Sequence, residues 1–187
     1  MTVIGVDDTD SRTRGMCTTY LATRVAASLR AGGASVSRTL LIRLNPAVEH
    51  KTRGNAALAI HTDADADHAL SVAAAELTPL AETDDPRTSP GVVVAPGDPG
   101  GVPTPVRSFS RRAVRDILDR ETAVEVAERA GYRHRGWSGG RGRIGALAAV
   151  GAWAANGNWT YERIAYRVFE RCGTPRDVDA ESVVVAA

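Results

Sequence analysis

Ile4-Gly5-Val6-Asp7-Asp8-Thr9-Asp10-Ser11, close to the start of the chain, is the stretch from which both the fold and the chemistry can be argued. The apolar residues leading into it predict a short buried strand, and the polar residues ending it predict the turn that leaves this strand. Three carboxylates within four positions repel one another unless a cation lies among them. Mg²⁺ is the oxygen-preferring ion of phosphate chemistry. Asp7, Asp8 and Asp10 therefore predict a metal and phosphate site at a strand end, with a solvated acidic turn as the alternative.

The composition is that of an ordinary globular protein of one or two domains, with 187 residues, 43% hydrophobic and 24% charged. No apolar run approaches the roughly 18 residues of a membrane span, and no signal peptide precedes the acidic stretch. The two cysteines, Cys17 and Cys172, are far apart and lack metal-ligand spacing. We therefore expect a cytoplasmic protein with no membrane partner and no zinc in this chain.

The net charge of +1 conceals a segmented pattern. Residues 11–62 hold eight basic residues and one acid, residues 63–128 hold six basic and 13 acidic residues, and residues 129–161 hold five arginines and no acid. The simplest explanation is a basic domain made from both ends of the chain, with an acidic domain inserted into it. A basic surface beside an acidic pocket suits a polyphosphate or nucleic-acid partner.

A helix is predicted from about residue 17 to residue 30, because Leu21, Val25 and Leu29 recur every four residues and Gly32-Gly33 follows them. Thr18 falls in its first turn, where unpaired N–H groups and the helix dipole favour an anion. The Thr18 hydroxyl is expected either to cap the helix or to receive or hold a phosphate.

Lys51 is the only lysine of the chain, against 22 arginines. It follows a strand predicted over residues 36–44. A compact ammonium differs from a guanidinium fork where it must point at one phosphate oxygen. We interpret Lys51 as a phosphate contact with Arg53 beside it; a solvated loop lysine is the alternative.

The middle of the chain predicts alternating strands and helices. Strands are expected at 57–61 and 91–95, and helices at about 65–77, 109–117 and 122–130. Strand, helix, strand, helix within about 75 residues fits a small α+β sandwich, ferredoxin-like with one strand not assigned. A last helix is expected to begin after Thr160.

Residues 133–145 contain five glycines, with Arg141 and Arg143 among them, and an apolar helix is predicted directly afterwards. A glycine-rich turn leading into a helix N-terminus is a physical means of holding phosphate. The stretch is not a Walker A loop, because no Gly-Lys-Ser/Thr follows, and its spacing does not match the dinucleotide fingerprint.

Taken together, four stretches resemble one family, the archaeal tRNA-isoleucine agmatidine synthetases. Order and spacing match along nearly the whole chain. The stretches are Ile4-Gly5-Val6-Asp7-Asp8-Thr9-Asp10-Ser11 with Arg14-Gly15-Met16-Cys17-Thr18-Thr19-Tyr20, Leu41-Ile42-Arg43-Leu44-Asn45-Pro46 with Lys51-Thr52-Arg53-Gly54-Asn55, Gly140-Arg141-Gly142-Arg143-Ile144-Gly145-Ala146-Leu147-Ala148-Ala149, and Thr160-Tyr161-Glu162-Arg163-Ile164-Ala165-Tyr166-Arg167. The spacing at Arg12-Thr13 varies from the family.

The resemblance implies an ATP-dependent ligase acting on the wobble cytidine of an isoleucine tRNA with a CAU anticodon. ATP phosphorylates the cytidine carbonyl, and agmatine displaces the phosphate. The resemblance also implies an α+β fold in which an atypical kinase domain, residues 1–57 and 133–187, is interrupted by a ferredoxin-like domain, residues 58–132. The charge segmentation suggests the same division.

The resemblance also assigns roles to site residues. Asp7, Asp8 and Asp10 hold Mg²⁺, and Thr18 matches the threonine that the family autophosphorylates. Lys51 acts in catalysis. The ATP phosphates are served by Lys51 and by Arg53, Gly139, Gly140, Arg141, Gly142, Arg143 and Gly145.

The chain departs from the family at its C-terminus, because the family's OB-fold and zinc ribbon, which bind tRNA, are not in this sequence. A two-domain fragment or a shortened relative is therefore expected, with ATP binding, autophosphorylation at Thr18 and weak or no tRNA modification. A non-catalytic nucleotide- or RNA-binding module is the alternative. A phosphatase of the Asp-x-Asp-x-Thr type fails because the fifth place of Asp8-Thr9-Asp10-Ser11-Arg12 is not threonine. An actin-like ATPase lacks an evident second phosphate strand.

Overall fold

Strand β1, Thr2–Asp7, lies at the centre of a five-stranded sheet with the order β2-β3-β1-β4-β5. This computed structural model describes residues 1–52, 54–160, 169–171 and 181. All neighbouring strands are antiparallel, and β1 pairs Ile4 with Ile60 on one side and with Val94 on the other. The remaining elements are α1 (Thr18–Ala31), β2 (Val36–Arg43), β3 (Ala56–Thr62), α2 (Ala66–Leu80), β4 (Gly91–Pro96), α3 (Thr104–Ala113), α4 (Arg120–Arg129), β5 (Arg133–Gly136) and α5 (Arg143–Ala155), with short 3-10 turns at Pro99–Gly101 and Phe169–Arg171.

Helices cover both faces of the sheet, and this explains why β1 is apolar along almost its whole length rather than alternating. On one face, Ile4 and Val6 pack with α1 and α2. On the other, Val3 and Val93 pack with α3, α4 and α5. Burying apolar side chains on two faces is the main stabilising contribution to such a layered fold.

Helix α5 crosses close to the central strand because glycine lies at the contact. A Cβ at Gly5 would come within 2.0 Å of the carbonyl oxygen of Ala146. Helix α5 is rich in alanine and glycine, and Gly145 to Ala152 are all buried. Small residues on both partners allow the helix backbone to lie almost on the sheet, and this brings the first turn of α5 to the end of β1.

The domain boundaries predicted at residues 58 and 132 stay a prediction, and the described strands on either side of residue 58 belong to one sheet. Strands β3 and β4 both come from that range, yet each is hydrogen bonded to β1 in one sheet. Between residues 2 and 96 the elements follow the order β-α-β-β-α-β, and the four strands lie side by side in the order β2-β3-β1-β4.

Most other element predictions agree with the structure within a few residues. The helix expected at 109–117 is an exception, because α3 ends at Ala113 and Ile117 lies beyond it with 73% of its surface exposed. Arg133–Gly136 forms the edge strand β5 rather than part of a glycine-rich loop. The helix expected after Thr160, together with Cys172, lies outside the described residues. Within the described ranges, none of the helices has both the length and the apolar character needed to cross a bilayer.

Candidate functional site

A cavity of about 590 Å³ opens where β1 ends, between the first turn of α1 and the turn into α5. Its volume is in the range of small-molecule sites. One part of its wall is polar and the other apolar. The polar part includes all five residues predicted as catalytic, which are Asp7, Asp8, Asp10, Thr18 and Lys51. The apolar part includes Leu41, Leu44, Val48, Ile117, Leu118 and Ile144.

Asp7 is the last residue of β1 and faces the first turn of α5. Burial, together with the nearby charge of Asp8, raises the pKa of the Asp7 carboxyl well above its ordinary value. A Cβ at Gly145 would come within 1.9 Å of the Asp7 Oδ2 atom. A side chain at position 145 would therefore displace the Asp7 carboxylate, whatever ligand the cavity takes.

Asp8 has a left-handed backbone, with φ of 59°, which is uncommon outside glycine. Its Oδ2 atom accepts hydrogen bonds from Arg141 Nη2 at 2.6 Å and from the Ser89 N–H at 3.3 Å. Burial raises the pKa of Asp8 to about 6, although the Arg141 guanidinium acts in the opposite direction. Its side chain is 11% exposed, so a negative charge here is poorly solvated.

Asp10 connects the acidic turn to the loop that carries Lys51. Its Oδ2 atom accepts a hydrogen bond from Thr52 Oγ1 at 2.9 Å. Arg12, to which the sequence assigned no role, donates to the carbonyl oxygens of Lys51 and Thr52, each at 2.9 Å. The Lys51 ammonium itself donates to the Pro46 carbonyl oxygen. The loop is therefore fixed to the acidic turn by backbone and side-chain contacts.

Thr18 is the first residue of α1 and not its cap, because Cys17 occupies the cap position and makes no side-chain cap hydrogen bond. The Thr18 side chain is buried, and its Oγ1 atom accepts a hydrogen bond from Thr9 Oγ1 at 2.9 Å. Of the two expected roles, helix capping is thus not the one observed. Its hydroxyl lies beside the acidic turn instead.

The glycine-rich turn is tightly folded, with positive φ at Ser138, Gly139 and Gly140. The N–H groups of Gly142, Arg143 and Ile144 donate to the carbonyl oxygens of Ser89, Gly140 and Arg141 respectively. These three N–H groups are thus already bonded within the protein. This part of the turn differs from an open phosphate cradle, in which N–H groups point at the ligand.

The predicted phosphate-binding residues separate into two groups. Arg141, Gly142 and Gly145 line the cavity, whereas Gly139, Gly140 and Arg143 are not among its lining residues. The Arg143 guanidinium turns back to the carbonyl oxygens of Gly139 and Gly140. Arg53 lies outside the described residues.

Ser89 is the main functional candidate that the sequence did not reveal. Its Oγ atom donates to the Ser138 carbonyl at 2.6 Å and accepts from the Arg141 N–H at 3.0 Å. Through its own N–H it also contacts Asp8. The sequence offers only an indirect signal for Ser89. The residue lies just before β4, and β4 begins next to the acidic turn because it pairs with β1.

The site carries unfavourable negative charge that a cation would relieve. Asp7, Asp8 and Asp10 line one cavity, and the charges of Asp8 and Asp10 both raise the pKa of Asp7. In the described part of the chain, however, no three His, Cys, Asp or Glu side chains are already arranged to hold a metal ion. Two of the carboxylates point instead at protein donors, Arg141 and Thr52.

Comparison with known families gives two matches that together cover nearly all of the chain. A family model described as the TiaS TCKD domain matches residues 3–138, and one described as the TiaS FLD domain matches residues 140–187. The first match runs through residues 58–132 as well.

Among curated proteins, the chain is similar to the isoleucine-tRNA 2-agmatinylcytidine synthetase TiaS of Haloquadratum walsbyi, with 59% identity over all of this chain and 41% of the relative. The enzyme of the same name from Methanosarcina mazei is 39% identical, with 96% of this chain and 43% of the relative covered. The chain thus spans about two fifths of the length of the curated relatives it matches.

Solved structures show the same similarity. The crystal structure of TiaS in complex with its isoleucine tRNA and ATP matches with a TM-score of 0.79 and 36% identity, covering 98% of this chain and 43% of that chain. The complex of TiaS with the same tRNA, AMPCPP and agmatine matches with a TM-score of 0.74 and 34% identity, covering 98% and 44%.

Proposed function

The chain belongs to the TiaS family, and on that premise we propose that it binds ATP in the described cavity and carries out kinase-type phosphoryl transfer there. As in the longer relatives named for it, this chemistry would serve agmatidine synthesis on an isoleucine tRNA. The supporting observation is that the three carboxylates, Thr18, Lys51 and Arg141 all line a single cavity.

The volume and lining of the cavity suit a nucleotide whose phosphates contact the polar residues. The apolar wall, with Leu44, Ile117 and Ile144, offers a surface for a base. Lys51 and Arg141 offer positive charge to phosphate oxygens. In this arrangement the Lys51 ammonium exchanges its contact with the Pro46 carbonyl for one with the ligand.

We propose that Mg²⁺ accompanies the nucleotide and is held by Asp7, Asp8 and Asp10. When bound, it would neutralise charge on the phosphates and on these carboxylates. The raised pKa values of Asp7 and Asp8 support this proposal, because they measure how poorly the protein alone solvates the negative charge.

In the proposed reaction the protein contributes the positioning of the reacting groups and the stabilisation of their charge. A carbonyl oxygen is a poor leaving group until it is phosphorylated, and the amine of agmatine can then displace the phosphate. The residues of the cavity hold the reacting groups in line and exclude water.

The first test is incubation of the 187-residue chain with Mg²⁺ and γ-labelled ATP. We expect label on the wild type and none on the Thr18→Ala or Asp8→Asn variants. Thr23→Ala is the matched control, since Thr23 lies on the same helix and its hydroxyl bonds the Thr19 carbonyl. Absence of both label and calorimetric ATP binding in the wild type would refute the proposal.

A nucleotide-binding module without tRNA catalysis is the second candidate. It is favoured by the contacts of Asp8 and Asp10, which already accept hydrogen bonds from protein donors, Arg141 and Thr52. Calorimetric ATP binding without label on Thr18, and without agmatidine formed from tRNA and agmatine, would support this second function.

A further inference from the structure

Thr9 is placed differently from the carboxylates on either side of it. Asp8 and Asp10 line the cavity, whereas the Thr9 side chain points into the protein and is fully buried. There its Oγ1 atom donates a hydrogen bond to Thr18 Oγ1 at 2.9 Å. A buried hydroxyl between two site carboxylates therefore holds the hydroxyl that the proposed function makes the phosphate acceptor.

A threonine hydroxyl can rotate among staggered positions, and only some of them present a lone pair to an incoming phosphorus atom. A fixed donor occupies one lone pair of Thr18 Oγ1 and thereby restricts where the other lone pair and the proton point. The backbone of Thr18 is fixed as well, because it begins α1. The donor thus removes the remaining rotational freedom of this hydroxyl.

We propose that Thr9 is a positioning residue that orients the Thr18 hydroxyl for phosphoryl transfer. This inference rests on the proposed function. In the step itself, a bond forms between Thr18 Oγ1 and the γ-phosphorus, and the bond from that phosphorus to the β–γ bridging oxygen breaks. ADP leaves, the Thr18 proton passes to a carboxylate of the acidic turn, and Thr9 keeps its own proton throughout.

A purely structural role is the competing explanation, in which the hydroxyl pair simply ties the acidic turn to α1. The backbone of Thr9 already supports the turn, since its carbonyl oxygen accepts a hydrogen bond from the Glu82 N–H. The two explanations differ in one respect. A positioning role affects the transfer rate, whereas a structural role affects folding and ATP binding together.

The experiment compares Thr9→Val with Thr9→Ser in the full chain. Valine keeps the shape but removes the donor, and serine restores the donor without the methyl group. Thr2→Val is the matched control, because Thr2 is also a buried threonine whose hydroxyl donates one hydrogen bond, to the Ala64 carbonyl at 2.7 Å. Thr18 labelling rates, ATP dissociation constants and melting temperatures are measured for all three.

We expect Thr9→Val to slow labelling of Thr18 by about tenfold, the order expected for a hydrogen bond that acts mainly in the transition state. ATP affinity should stay within about twofold of wild type, Thr9→Ser should restore the rate, and Thr2→Val should label normally. If Thr9→Val does not fold, Thr9→Ala removes the same donor with a smaller side chain.

Normal labelling of a folded Thr9→Val chain would overturn the inference. Equal loss of labelling in Thr2→Val would also overturn it, because the effect would then be one of stability. Absence of label on the wild type would instead refute the proposed phosphoryl transfer, and the inference with it.

Discussion

Replacing Asp8 by asparagine is expected to change how the stability of the chain depends on pH. In the folded chain, burial raises the pKa of the Asp8 carboxyl from 3.8 to about 6. The unfolded chain releases this proton near the ordinary value. Between about pH 4 and pH 6 the folded state thus binds more protons, and its stability falls as the pH rises through that window.

The size of this effect follows from the shift in pKa. At 1.36 kcal/mol per pKa unit, Asp8 alone lowers the free energy of unfolding by about 3 kcal/mol once the pH is well above 6. About 2 kcal/mol of this loss falls between about pH 4.5 and pH 7.5. Asparagine has no proton to release in this pH range, so the Asp8→Asn variant lacks this loss of stability. Asp7 acts in the same direction, because the charge of Asp8 helps to raise its pKa.

Urea unfolding of both chains across this pH range measures the effect. Relative to wild type, the Asp8→Asn variant should gain about 2 kcal/mol between about pH 4.5 and pH 7.5. Asp84→Asn is the control, because the Asp84 side chain is 80% exposed, and its curve should run parallel to wild type. If the difference in the free energy of unfolding between wild type and Asp8→Asn stays constant within about 0.5 kcal/mol across this pH range, the argument that burial raises the pKa of Asp8 is refuted.

Three further predictions concern the contacts around Asp8. Replacing Arg141 by methionine should raise the pKa of Asp8 above about 6, because the guanidinium holds it down, and carboxyl NMR titration measures this shift. Replacing Ser89 by alanine should lower the free energy of unfolding by roughly 0.5–1.5 kcal/mol in urea, because the Arg141 N–H and the Ser138 carbonyl lose a part-buried hydrogen-bond partner. Replacing Gly145 by alanine should weaken calorimetric ATP binding by about tenfold or more, because the added Cβ displaces the Asp7 carboxylate.

Each of these predictions has a distinct contrary outcome. An unchanged or lower Asp8 pKa without Arg141 would mean that the ion pair does not control it. Unchanged stability of Ser89→Ala would mean that water replaces the serine hydroxyl. Gly157→Ala is the control for Gly145→Ala, since nothing lies within 4 Å of a Cβ at Gly157. Equal ATP affinity in these two variants would contradict the crowding around Asp7.

The sequence predicted the elements well because their signals are local. The apolar run before Asp7 predicted β1, and the spacing of Leu21, Val25 and Leu29 predicted α1, which begins at Thr18. The order of strands was not local information. Pairing of β1 with β3 and β4 depends on residues more than 50 positions apart, and no periodicity reports it.

The sequence singled out the charged residues that line the cavity, but not the residues that hold them in place. The carboxylates and Lys51 stand out by residue type, and all line the cavity. Ser89 and Arg12 are ordinary in sequence and gain a role only through what the fold places beside them. The turn before α5 was predicted as a phosphate cradle from its glycine content. Glycine content does not reveal that three of its N–H groups are bonded within the protein.

The central position of β1 in the sheet has a consequence for how the chain is made. Its two neighbouring strands are Ala56–Thr62 and Gly91–Pro96, and the helix that covers the Asp7 carboxylate begins at Arg143. The first strand to leave the ribosome is therefore covered on both faces only when α5 follows, roughly 7 to 27 seconds later at typical translation rates of about 5–20 residues per second. A nascent chain that stops before Arg143 already carries the acidic turn but lacks one wall of the cavity. We therefore expect a nascent chain to bind the ligand of this cavity only after Arg143 and the first turn of α5 have been synthesised.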